Sequence, residues 1–466
     1  MEFPKEEDFS EWYHKVLDEA QVIDQRYPIK GMLVYRKWGL YIIRQAQQYL
    51  ERRLEEDGHE PVLFPVLIPE DVLGKESEHI AGFENEVFWV THAGATPLER
   101  KLALRPTSET SMYNLFSLWV RTHGDLPIKI HQSCAVYRYD TKHTRPLIRG
   151  REFLWNEGHT AFATRKEALE NIETIIGIYG KLIGDLLCLP YQVNKRPDWD
   201  KFPGAEYTIA FETLMPDGKT LQIATVHNLG QHFSKVFDIT YADEQGGRHH
   251  AWQTSYGPGF GRLLAAVISV HGDEKGMILP PQVAPVQAVI VPIIFKDTEG
   301  KVRKEAEALK HKLEKHGIRV EIDDREIRPG EKYYYWEQRG VPLRIEIGPR
   351  DLEKKQVVVV RRDTGEKLFV PEADLDVHKI FSDIEANLKK KAQESFNHRI
   401  KKAANMQELE ERLTTGGIIE AGWCGKQECA KQIEPIGTIL TIEEDKKTDC
   451  VNCGNPGTHI RIAKTY

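Results

Sequence analysis

Two pairs of strand-like runs, each joined by a turn, constrain the fold most strongly. The runs "LPIKIHQSCAVYRYD" (126–140) and "REFLWNEGHTAF" (151–162) flank the basic loop "TKHTRPLIRG", and "YTIAFETL" is joined to "TLQIATVHNLG" through the turn at 216–218. Apolar runs bounded by turn residues are typical of antiparallel hairpins. Long helical patterns separate the hairpins. We therefore predict an α+β fold with one large antiparallel sheet.

The remaining patterns divide the chain into three parts. Apolar residues at helical spacing predict helices over 8–26, 36–57 and 165–187, and "HEPVLFPVLIPED" reads as a strand interrupted by Pro65. After the proline-rich break "ILPPQVAPVQ", strands and helices alternate over about 100 residues, as in a small α/β domain. A charged helix from residue 383 leads to a cysteine-bearing tail. We expect domains at 1–283, 284–382 and 383–466.

Composition excludes several classes of protein. The 466 residues are 40% hydrophobic and 29% charged, as in folded globular proteins, and we find no apolar run long enough to span a membrane. The N-terminus lacks the basic start and apolar stretch of a secretory signal, so we expect a cytoplasmic location and no membrane contact. The net charge of −7 gives no global indication of a nucleic-acid partner.

The stretch "TSYGPGFGRLLAAVISVHGDEKG" (254–276) places three alternate glycines before Arg262 and an apolar helix. A dinucleotide-binding loop needs the spacing G-x-G-x-x-G after a buried strand, with an acidic residue about 20 positions later. Here the spacing is G-x-G-x-G, the preceding residues are polar and Asp273 comes too early. A structural bend that feeds a buried helix explains the glycines. Neither interpretation explains Arg262.

Arginines crowd the loop of the first hairpin. Arg138 ends a strand two residues before Asp140, Arg149 lies in the connecting loop, and Phe153 follows. Guanidinium groups bind carboxylates and phosphates through paired hydrogen bonds without losing their charge. Several of them around an aromatic ring are compatible with an ATP site that has no P-loop. Surface hairpins also often carry arginines, so this pattern alone is not specific.

Two other segments carry polar residues beside apolar runs. Thr107 and Glu109 precede an apolar helix, where a capping box and a binding site are both reasonable interpretations. Gln222, Thr225 and His227 lie along the last strand of the second hairpin. A single histidine in a strand is more often a structural residue than a catalytic one.

Four of the six cysteines fall in the tail as two close pairs. Cys424 and Cys429 are separated by four residues, and Cys450 and Cys453 by two. Four thiolates in a tetrahedral array suit structural zinc and leave no open coordination position for catalysis. Free buried thiols are the alternative. The other two cysteines lie in apolar stretches and are expected in the core.

Taken in order, these segments resemble the prolyl-tRNA synthetases of class II, in the short form found in archaea and the eukaryotic cytosol. The resemblance covers essentially the whole chain. It rests on "FSEWYHKVLDEAQVID", "LRPTSETSMY", "LPIKIHQ", "REFLWNEGHTAFAT", "LGQHFSKVFDI", "VHGDEKG" and "GVPLRIEIGPRDLEKKQVVVVRRD". The stretch "GHEPVLFPVLIP" looks like class motif 1, residues 136–157 look like motif 2, and the glycine-rich stretch looks like motif 3 with Arg262 as its arginine.

The resemblance implies a fold and an activity. It implies a class II catalytic domain, an α/β anticodon-binding domain and a C-terminal zinc-binding α/β domain, in a homodimer built through motif 1. The family activates L-proline with ATP to prolyl-adenylate and transfers prolyl to the 3′-terminal ribose of tRNA(Pro). Only about 124 positions separate Arg138 from Arg262. We therefore expect none of the large editing insertion of the bacterial form.

The resemblance also implies the site residues. Those implied for proline binding and catalysis are Thr107, Glu109, Arg138, Trp155, Glu157, His159, Phe202 and His227. Those implied for ATP binding are Arg138, Asp140, Arg149, Gly150, Phe153, Gln222, Thr225, Phe260 and Arg262. Gln222 would also hold Mg²⁺, and the four tail cysteines would hold structural Zn²⁺.

Three residues depart from the family pattern. Asp140 stands where the family usually has Glu, Gly150 where Thr is common, and Phe260 where Ser or Thr is common. The run up to Arg262 is also one residue longer than usual. These departures place the contacts of Asp140 with the adenylate and of Phe260 with ATP in question.

Three basic stretches are candidate tRNA contacts: "KHTRPLIRGR", residues 339–362, and "LKKKAQESFNHRIKK". Each is equally explained as a solvated face. Other functions remain to be compared: a class II synthetase for threonine or serine, a synthetase-like protein that binds without catalysis, and a zinc-ribbon nucleic-acid-binding protein. The last explains only the tail, and the second gives no reason to keep Glu109, Arg138 and Arg262 together.

Overall fold

The computed structural model describes residues 5, 7–75, 86–139, 143–295 and 297–466. The strands of the first domain are β1 (Ile23–Asp24), β2 (Val34–Tyr35), β3 (Glu60–Pro61), β4 (Leu67–Pro69), β5 (Trp89–Ala93), β6 (Thr96–Leu104), β7 (Ile128–Tyr137), β8 (Glu152–Phe162), β9 (Gln192–Lys195), β10 (Tyr207–Leu214), β11 (Thr220–Gly230), β12 (Thr240–Ala242), β13 (Arg248–His250) and β14 (Trp252–Pro258). Its helices are α1 (Phe9–Glu19), α2 (Lys37–Glu56), α3 (Glu70–Leu73), α4 (Glu109–Trp119), α5 (Arg165–Gly180), α6 (His232–Val236) and α7 (Phe260–His271).

The two predicted hairpins form the centre of a seven-stranded sheet. The strand order is β3-β7-β8-β14-β11-β10-β9, and β3 with β7 is the parallel pair in an otherwise antiparallel arrangement. Strand β14 lies between the two hairpins, so that Ser255 is paired with His159 on one side and with His227 on the other. The sheet confirms the predicted α+β fold and places β8, β14 and β11 side by side.

Long helices cover one face of this sheet. Trp12 of α1, Leu50 of α2 and Tyr179 of α5 are fully buried in a single apolar core that also takes in most of α7. The helix predicted over 8–26 ends earlier, at Glu19, because Gln21 adopts a left-handed conformation with φ of 57° before β1. Helix α5 continues into a π-helical segment, Lys181–Leu186.

The strand pattern around Pro65 divides between two sheets. Its first part becomes β3 of the large sheet, and its second part becomes β4 of a small sheet of the order β4-β6-β5. Proline has no N–H to donate to a ladder, which explains why pairing stops at this position.

The second domain contains the strands β15 (Ala288–Pro292), β16 (Val320–Ile322), β17 (Leu343–Ile347), β18 (Gln356–Arg361) and β19 (Lys367–Pro371), and the helices α8 (Glu299–Lys315), α9 (Pro329–Gln338) and α10 (Pro349–Glu353). Its sheet has the order β16-β15-β17-β18-β19. Strand β15 is parallel to both of its neighbours, and the other two pairings are antiparallel. The predicted small α/β domain is therefore present.

The third domain is also α/β. It follows the long helix α11 (Val377–His398) and contains β20 (Ile400–Lys402), α12 (Met406–Thr414), β21 (Ile418–Trp423), α13 (Gln427–Ile433), β22 (Thr438–Asp449) and β23 (Pro456–Ala463). The sheet has the order β20-β21-β23-β22. Strand β22 lies beside β9, so this domain adjoins the large sheet.

Helix α11 runs across the boundary expected between residues 382 and 383. Phe381 and Leu388 pack into the core of the second domain, whereas Phe396 packs against Leu214 of the first domain and Leu440 of the third. The helix therefore belongs to all three domains, and the exact limits of the domains stay a prediction. In the described part of the chain, no helix has the length and apolar character needed to cross a bilayer.

Candidate active site

A cavity of about 650 Å³ opens on the face of the large sheet opposite the long helices. The predicted site residues that line it are Thr107, Glu109, Arg138, Arg149, Gly150, Phe153, Trp155, Glu157, His159, Phe202, Gln222, Thr225, His227 and Arg262. Four of them come from alternate positions of β8, because side chains at i and i+2 of a strand point to the same face. The first hairpin, the start of α4 and the glycine-rich stretch therefore meet in one place.

Strand β11 needs an irregularity to bring its residues to this face. Its pairing with β10 shifts register between Phe211 and Glu212, which leaves Ile223 without a partner. A β-bulge of this kind changes which residues face each side of the sheet. Gln222 therefore lines the cavity together with Thr225, although the two are three positions apart.

Two predicted ATP contacts need separate treatment. Asp140 lies outside the described residues. The Phe260 side chain does not line the cavity: it is 1% exposed and packs in the main core, because α7 turns this first residue toward the helical layer. Gly259 and Gly261, on either side of it, do line the cavity. An ATP contact of Phe260 would therefore be made through its backbone, and it stays a prediction.

Two of the three alternate glycines are required by close backbone contacts. A Cβ atom on Gly257 would lie 2.6 Å from the carbonyl oxygen of Asn156, and one on Gly261 would lie 2.8 Å from that of Leu147. Both distances are shorter than any normal carbon–oxygen contact, so a larger residue would push the bend away from the hairpin loop. The glycines bring the start of α7 against this loop.

A fully hydrogen-bonded carboxylate lies at one end of the cavity. Glu157 accepts hydrogen bonds from the Ser108 backbone N–H at 3.1 Å, from the Ser108 hydroxyl at 2.5 Å and from Gln132 Nε2 at 2.7 Å. His159 Nε2 lies 3.0 Å from Glu157 Oε2, which is the oxygen that also accepts from the Ser108 backbone N–H. All four residues are buried, and none has more than 2% of its surface exposed. This carboxylate is therefore rigidly placed.

A second carboxylate lies beside the first. The Thr107 hydroxyl donates a hydrogen bond to Glu109, and the acidic oxygens of Glu109 and Glu157 lie within 4.8 Å of each other and of a His159 ring nitrogen. Burial disfavours protonation of His159, but the hydrogen bond to Glu157 and the charges of both glutamates outweigh it and raise the His159 pKa. This end of the cavity is an acidic environment suited to a cationic group.

Aromatic rings form the wall next to this acidic end. The Phe202 and His227 rings lie 4.5 Å apart with an interplanar angle of 31°. Thr208 holds both: its hydroxyl accepts from the Phe202 backbone N–H and lies 2.9 Å from His227 Nδ1. His227 is thus a structural partner of Phe202 as well as a wall of the cavity. Trp155 supplies a further ring.

Arginines form the opposite end. Arg138 donates from Nε to the carbonyl oxygen of Pro106 at 3.0 Å, and its guanidinium lies 5.4 Å from the ring centres of both Phe153 and Trp155. Burial lowers the pKa of Arg138, while the charge of Glu109 raises it. The guanidinium remains charged at neutral pH because its pKa starts so high. Arg138 therefore lies between the acidic end and the aromatic Phe153.

Arg262 is held by backbone carbonyls. Its Nε donates to Ile148 O and its Nη1 to Gln222 O, both at 2.9 Å. Within the described ranges of the chain no acidic side chain forms an ion pair with it. Burial and then the charges of Arg149 and Arg138 lower its pKa to about 10. Three like charges near one another, with Arg262 lacking a carboxylate partner, form a site for a polyanion.

The sequence analysis did not predict one buried ion pair of the cavity, which joins Arg196 to Glu212. Arg196 Nη2 lies 2.8 Å from Glu212 Oε1 and donates at 2.9 Å to Gln222 Oε1. Arg196 directly follows β9, and Glu212 lies in β10, 16 positions later. Alternation along "YTIAFETL" places Glu212 on one sheet face, but its partner depends on the pairing of the strands.

This ion pair changes the interpretation of Gln222. The Arg196 guanidinium donates at 2.9 Å to the amide oxygen, which is the atom through which Gln222 would bind Mg²⁺. The clusters of three or more His, Cys, Asp or Glu in the described ranges are the four tail cysteines and the Glu109–Glu157–His159 group. The expectation that Gln222 would hold Mg²⁺ stays a prediction.

The four tail cysteines converge as predicted. The Cys424 sulfur lies 3.6 Å from those of Cys429 and Cys453, and all four sulfurs lie within 4.8 Å of one another. Zinc–sulfur bonds of about 2.3 Å in a tetrahedron require sulfurs about 3.8 Å apart. The four residues therefore fit a zinc ion.

Several arginines of the basic stretch 339–362 are paired with acidic side chains from outside the stretch. Arg344 pairs with Glu337 at 2.8 Å, Arg361 with Asp363 at 2.7 Å, and Arg362 with Asp273 of the first domain. The basic residues of this stretch that stay exposed are Arg350, Lys354 and Lys355. The candidate contact with a polyanion is therefore much smaller than the sequence suggested.

Comparison with known proteins agrees with this geometry. Residues 88–271 match the family described as the tRNA synthetase class II core domain (G, H, P, S and T), and residues 287–387 match the anticodon binding domain. The proline–tRNA ligase of Methanothermobacter thermautotrophicus is 50% identical over 96% of this chain and 93% of its own length. That of Methanocaldococcus jannaschii is 50% identical over 98% of this chain and all of its own.

A solved structure extends the comparison to the fold. The prolyl-tRNA synthetase of Giardia lamblia in complex with prolyl-adenylate superposes with a TM-score of 0.94 at 38% identity, and covers 99% of both chains. Sequence and structure thus agree over both matched domains and over the tail. The chain belongs to the proline–tRNA ligase family of class II aminoacyl-tRNA synthetases.

Proposed function

We propose that this chain joins L-proline to ATP as prolyl-adenylate, with release of pyrophosphate, and then transfers prolyl to the 3′-terminal ribose of tRNA(Pro). The observation that carries the proposal is the polarity of the cavity, which has buried Glu109 and Glu157 at one end and Arg138, Arg149 and Arg262 at the other. A zwitterionic amino acid next to a polyphosphate matches this order of charges. The adenylate named for the Giardia lamblia complex has the same layout.

Proline would occupy the acidic end. Its secondary ammonium carries two N–H donors, and Glu109 with Thr107 offers acceptors at this position. Its ring would lie against the wall formed by Phe202, His227 and Trp155, which leaves little room for a longer side chain. Its carboxylate would face Arg138, on the border between the two ends.

ATP would occupy the basic end. Adenine would stack between Phe153 and the Arg262 guanidinium, which the backbone holds at the start of α7. Arg149 would contact the outer phosphates. Thr225 and Gln222 would contact the nucleoside, with Gln222 using its amide N–H₂ because its oxygen accepts from Arg196.

The reaction then needs no protein nucleophile. The proline carboxylate is ionised at neutral pH and attacks the α-phosphorus, and pyrophosphate leaves with the electron pair of the broken P–O bond. Fixed guanidinium groups lower the barrier by aligning the reactants and by stabilising charge that develops on the phosphoryl oxygens. Magnesium would enter bound to the phosphates of ATP, as part of that substrate.

The cysteine-bearing tail is proposed to hold structural zinc. Four thiolates close the coordination sphere, so the ion supplies folding free energy and no catalysis when it is bound. Asn455 Nδ2 donates to Cys453 Sγ at 3.3 Å, which supports thiolate character at that sulfur. The two close pairs of cysteines provide all four ligands.

The larger assembly is also a proposal. Exposed apolar side chains cluster on and near motif 1, including Leu63 at 79%, Leu118 at 56% and Trp119 at 43% exposure, and they support a homodimer that sedimentation can measure. Arg350, Lys354 and Lys355 are the proposed tRNA contacts of the second domain. The cytoplasm is the proposed location, and the limits 1–283, 284–382 and 383–466 are the proposed domains.

The chain is proposed to lack built-in editing. Between motifs 2 and 3 the chain forms α5, β9 to β13 and α6. Strands β9 to β11 belong to the large sheet, α5 and α6 pack against it, and β12 with β13 forms a two-stranded sheet. We expect no hydrolysis of alanyl-tRNA(Pro) above the uncatalysed rate when the purified protein is incubated with it. Rapid clearance of the alanyl ester by this protein alone would contradict the proposal.

The proposed substrate can be tested by amino-acid-dependent exchange of pyrophosphate into ATP. We expect exchange with proline, because a zwitterion with a short ring fits between the acidic end and Arg138. The assay is run with each of the twenty amino acids at equal concentration. Exchange with threonine or serine in place of proline would contradict the assignment, and no exchange with any amino acid would favour a binding protein without catalysis.

Replacing Arg262 tests the nucleotide half of the site. Arg262→Ala should lower the rate of proline-dependent exchange by about 10²- to 10³-fold, the loss usual for a fixed charge donor. The fold should persist, since Arg262 forms no ion pair with the rest of the described chain. Arg52→Ala, at an exposed position of α2, is the matched control. A near-normal rate for Arg262→Ala would contradict its role.

Removing one cysteine tests the zinc site. Cys453→Ser should lower the zinc content well below one ion per chain and lower the melting temperature of the tail, because three thiolates do not close the site. Metal content is measured by atomic absorption. Cys134→Ser, at a cysteine outside the tail cluster, should keep its zinc. A zinc content of one per chain in Cys453→Ser would contradict the assignment.

A further inference from the structure

The loop 196–206 joins β9 to β10 and borders the amino-acid end of the cavity. Arg196, Lys201 and Phe202 of this loop line the cavity, whereas Trp199 does not. The loop is irregular apart from the 3₁₀ turn Asp198–Asp200. Irregular connections are the parts of a fold that deform most easily, so the position of Phe202 depends on what holds this loop.

On its inner side the loop is held by the large sheet. The Phe202 backbone N–H donates to Thr208 Oγ1 at 2.9 Å, and the Ala205 N–H donates to the Phe202 carbonyl at 3.0 Å. These bonds fix the end of the loop next to β10. They do not reach Trp199, three residues earlier.

On its outer side the loop is held by the third domain. The Trp199 ring lies 5.5 Å from that of Trp423 in an edge-to-face arrangement, at an interplanar angle of 75°. Trp199 Nε1 also donates to Glu434 Oε1 at 3.4 Å. Trp423 is the last residue of β21 and precedes Cys424. The turn of the loop therefore rests on the part of the third domain that carries the cysteine cluster.

A chain of buried hydrogen bonds joins the same domain to the start of the loop. Arg461 of β23 donates from Nη1 to Asn194 Oδ1 at 3.1 Å. Asn194 Nδ2 donates at 2.6 Å to Glu212, which pairs with Arg196. Asn194 is fully buried and Glu443 fixes Arg461 from the other side at 2.8 Å. If one of these side chains is removed, the next one in the chain loses a hydrogen-bond partner, which is costly where the group is buried.

We propose that the third domain positions the loop 196–206, and through it Phe202, so that Trp423 and Arg461 are positioning residues for amino-acid binding. The inference rests on the proposed function of the cavity. The domain would then do more than bind metal: it would hold one wall of the amino-acid pocket from outside. Loosening the contact between Trp199 and Trp423 should weaken the binding of proline and leave the nucleotide end, which is built on β8, β11 and α7, as it is. The chain from Arg461 also reaches Gln222 through Arg196, so loosening it should affect both ends.

The test uses Trp199→Ala in the full chain, because Trp199 is 52% exposed and its removal leaves no cavity in the core. Michaelis constants for proline and for ATP are measured separately by pyrophosphate exchange. Edge-to-face aromatic pairs have a coupling that corresponds to about 2- to 12-fold in an equilibrium constant. We expect the KM for proline to rise by about this factor, with kcat and the KM for ATP changed less than about twofold.

Asp198→Ala is the matched control, since Asp198 is exposed in the same turn and should leave all three constants unchanged. Trp423→Ala should reproduce the effect of Trp199→Ala, and the double variant should be no worse than either one, as expected for a single shared contact. Arg461→Met tests the second attachment and should also raise the KM for proline. Zinc content is measured for each variant, so that loss of metal is recognised.

The two proposals fail in different ways. If the wild-type protein exchanges proline but Trp199→Ala and Arg461→Met keep a normal KM for proline, the positioning role is wrong and the proposed function stands. In Trp199→Ala, a rise in the KM for ATP equal to that for proline would also contradict it, because it would indicate a general loosening. If the wild-type protein does not exchange proline, the proposed function fails first.

Discussion

The guanidinium of Arg262, held by the carbonyl oxygens of Ile148 and Gln222, is the interaction on which the geometry of the site depends. It joins the hairpin loop, the second hairpin and helix α7 at one point. The contact is possible because Gly257 and Gly261 let the backbone of the bend approach the first hairpin. Carbonyl partners fix the charge without neutralising it, so that it stays available to an anion.

At the acidic end of the cavity the charged groups are carboxylates, and side chains and backbone N–H groups donate hydrogen bonds to them. Two carboxylates share a buried position, and one of them, Glu157, has all its oxygen atoms occupied by donors from the start of α4, from β7 and from β8. A buried charge is tolerated when its hydrogen bonds are complete. Glu109 lies beside Glu157 and accepts a hydrogen bond from the Thr107 hydroxyl. An antiparallel sheet makes this possible because residues far apart in the sequence become neighbours across strands.

The sequence predicted what depends on local pattern. The antiparallel sheet followed from the two hairpins. The family resemblance named Phe153, Trp155, Glu157 and His159, which alternate along β8 and share one face. The sequence could not predict pairings set by tertiary contact. The Arg196–Glu212 pair depends on β9 lying beside β10, and the acids that neutralise the 339–362 stretch include one from another domain. Glycine spacing likewise gave no sign of the direction in which Phe260 points.

Two of the three domains line this cavity: the first supplies its charged residues, and the third adds Thr438, Thr465 and Tyr466. The most direct test is a structure with a non-hydrolysable prolyl-adenylate analogue. The account predicts its phosphate between Arg138 and Arg262, its pyrrolidine ring against Phe202 and its adenine on Phe153. A phosphate outside reach of both arginines, or a pyrrolidine away from Glu109, would contradict it.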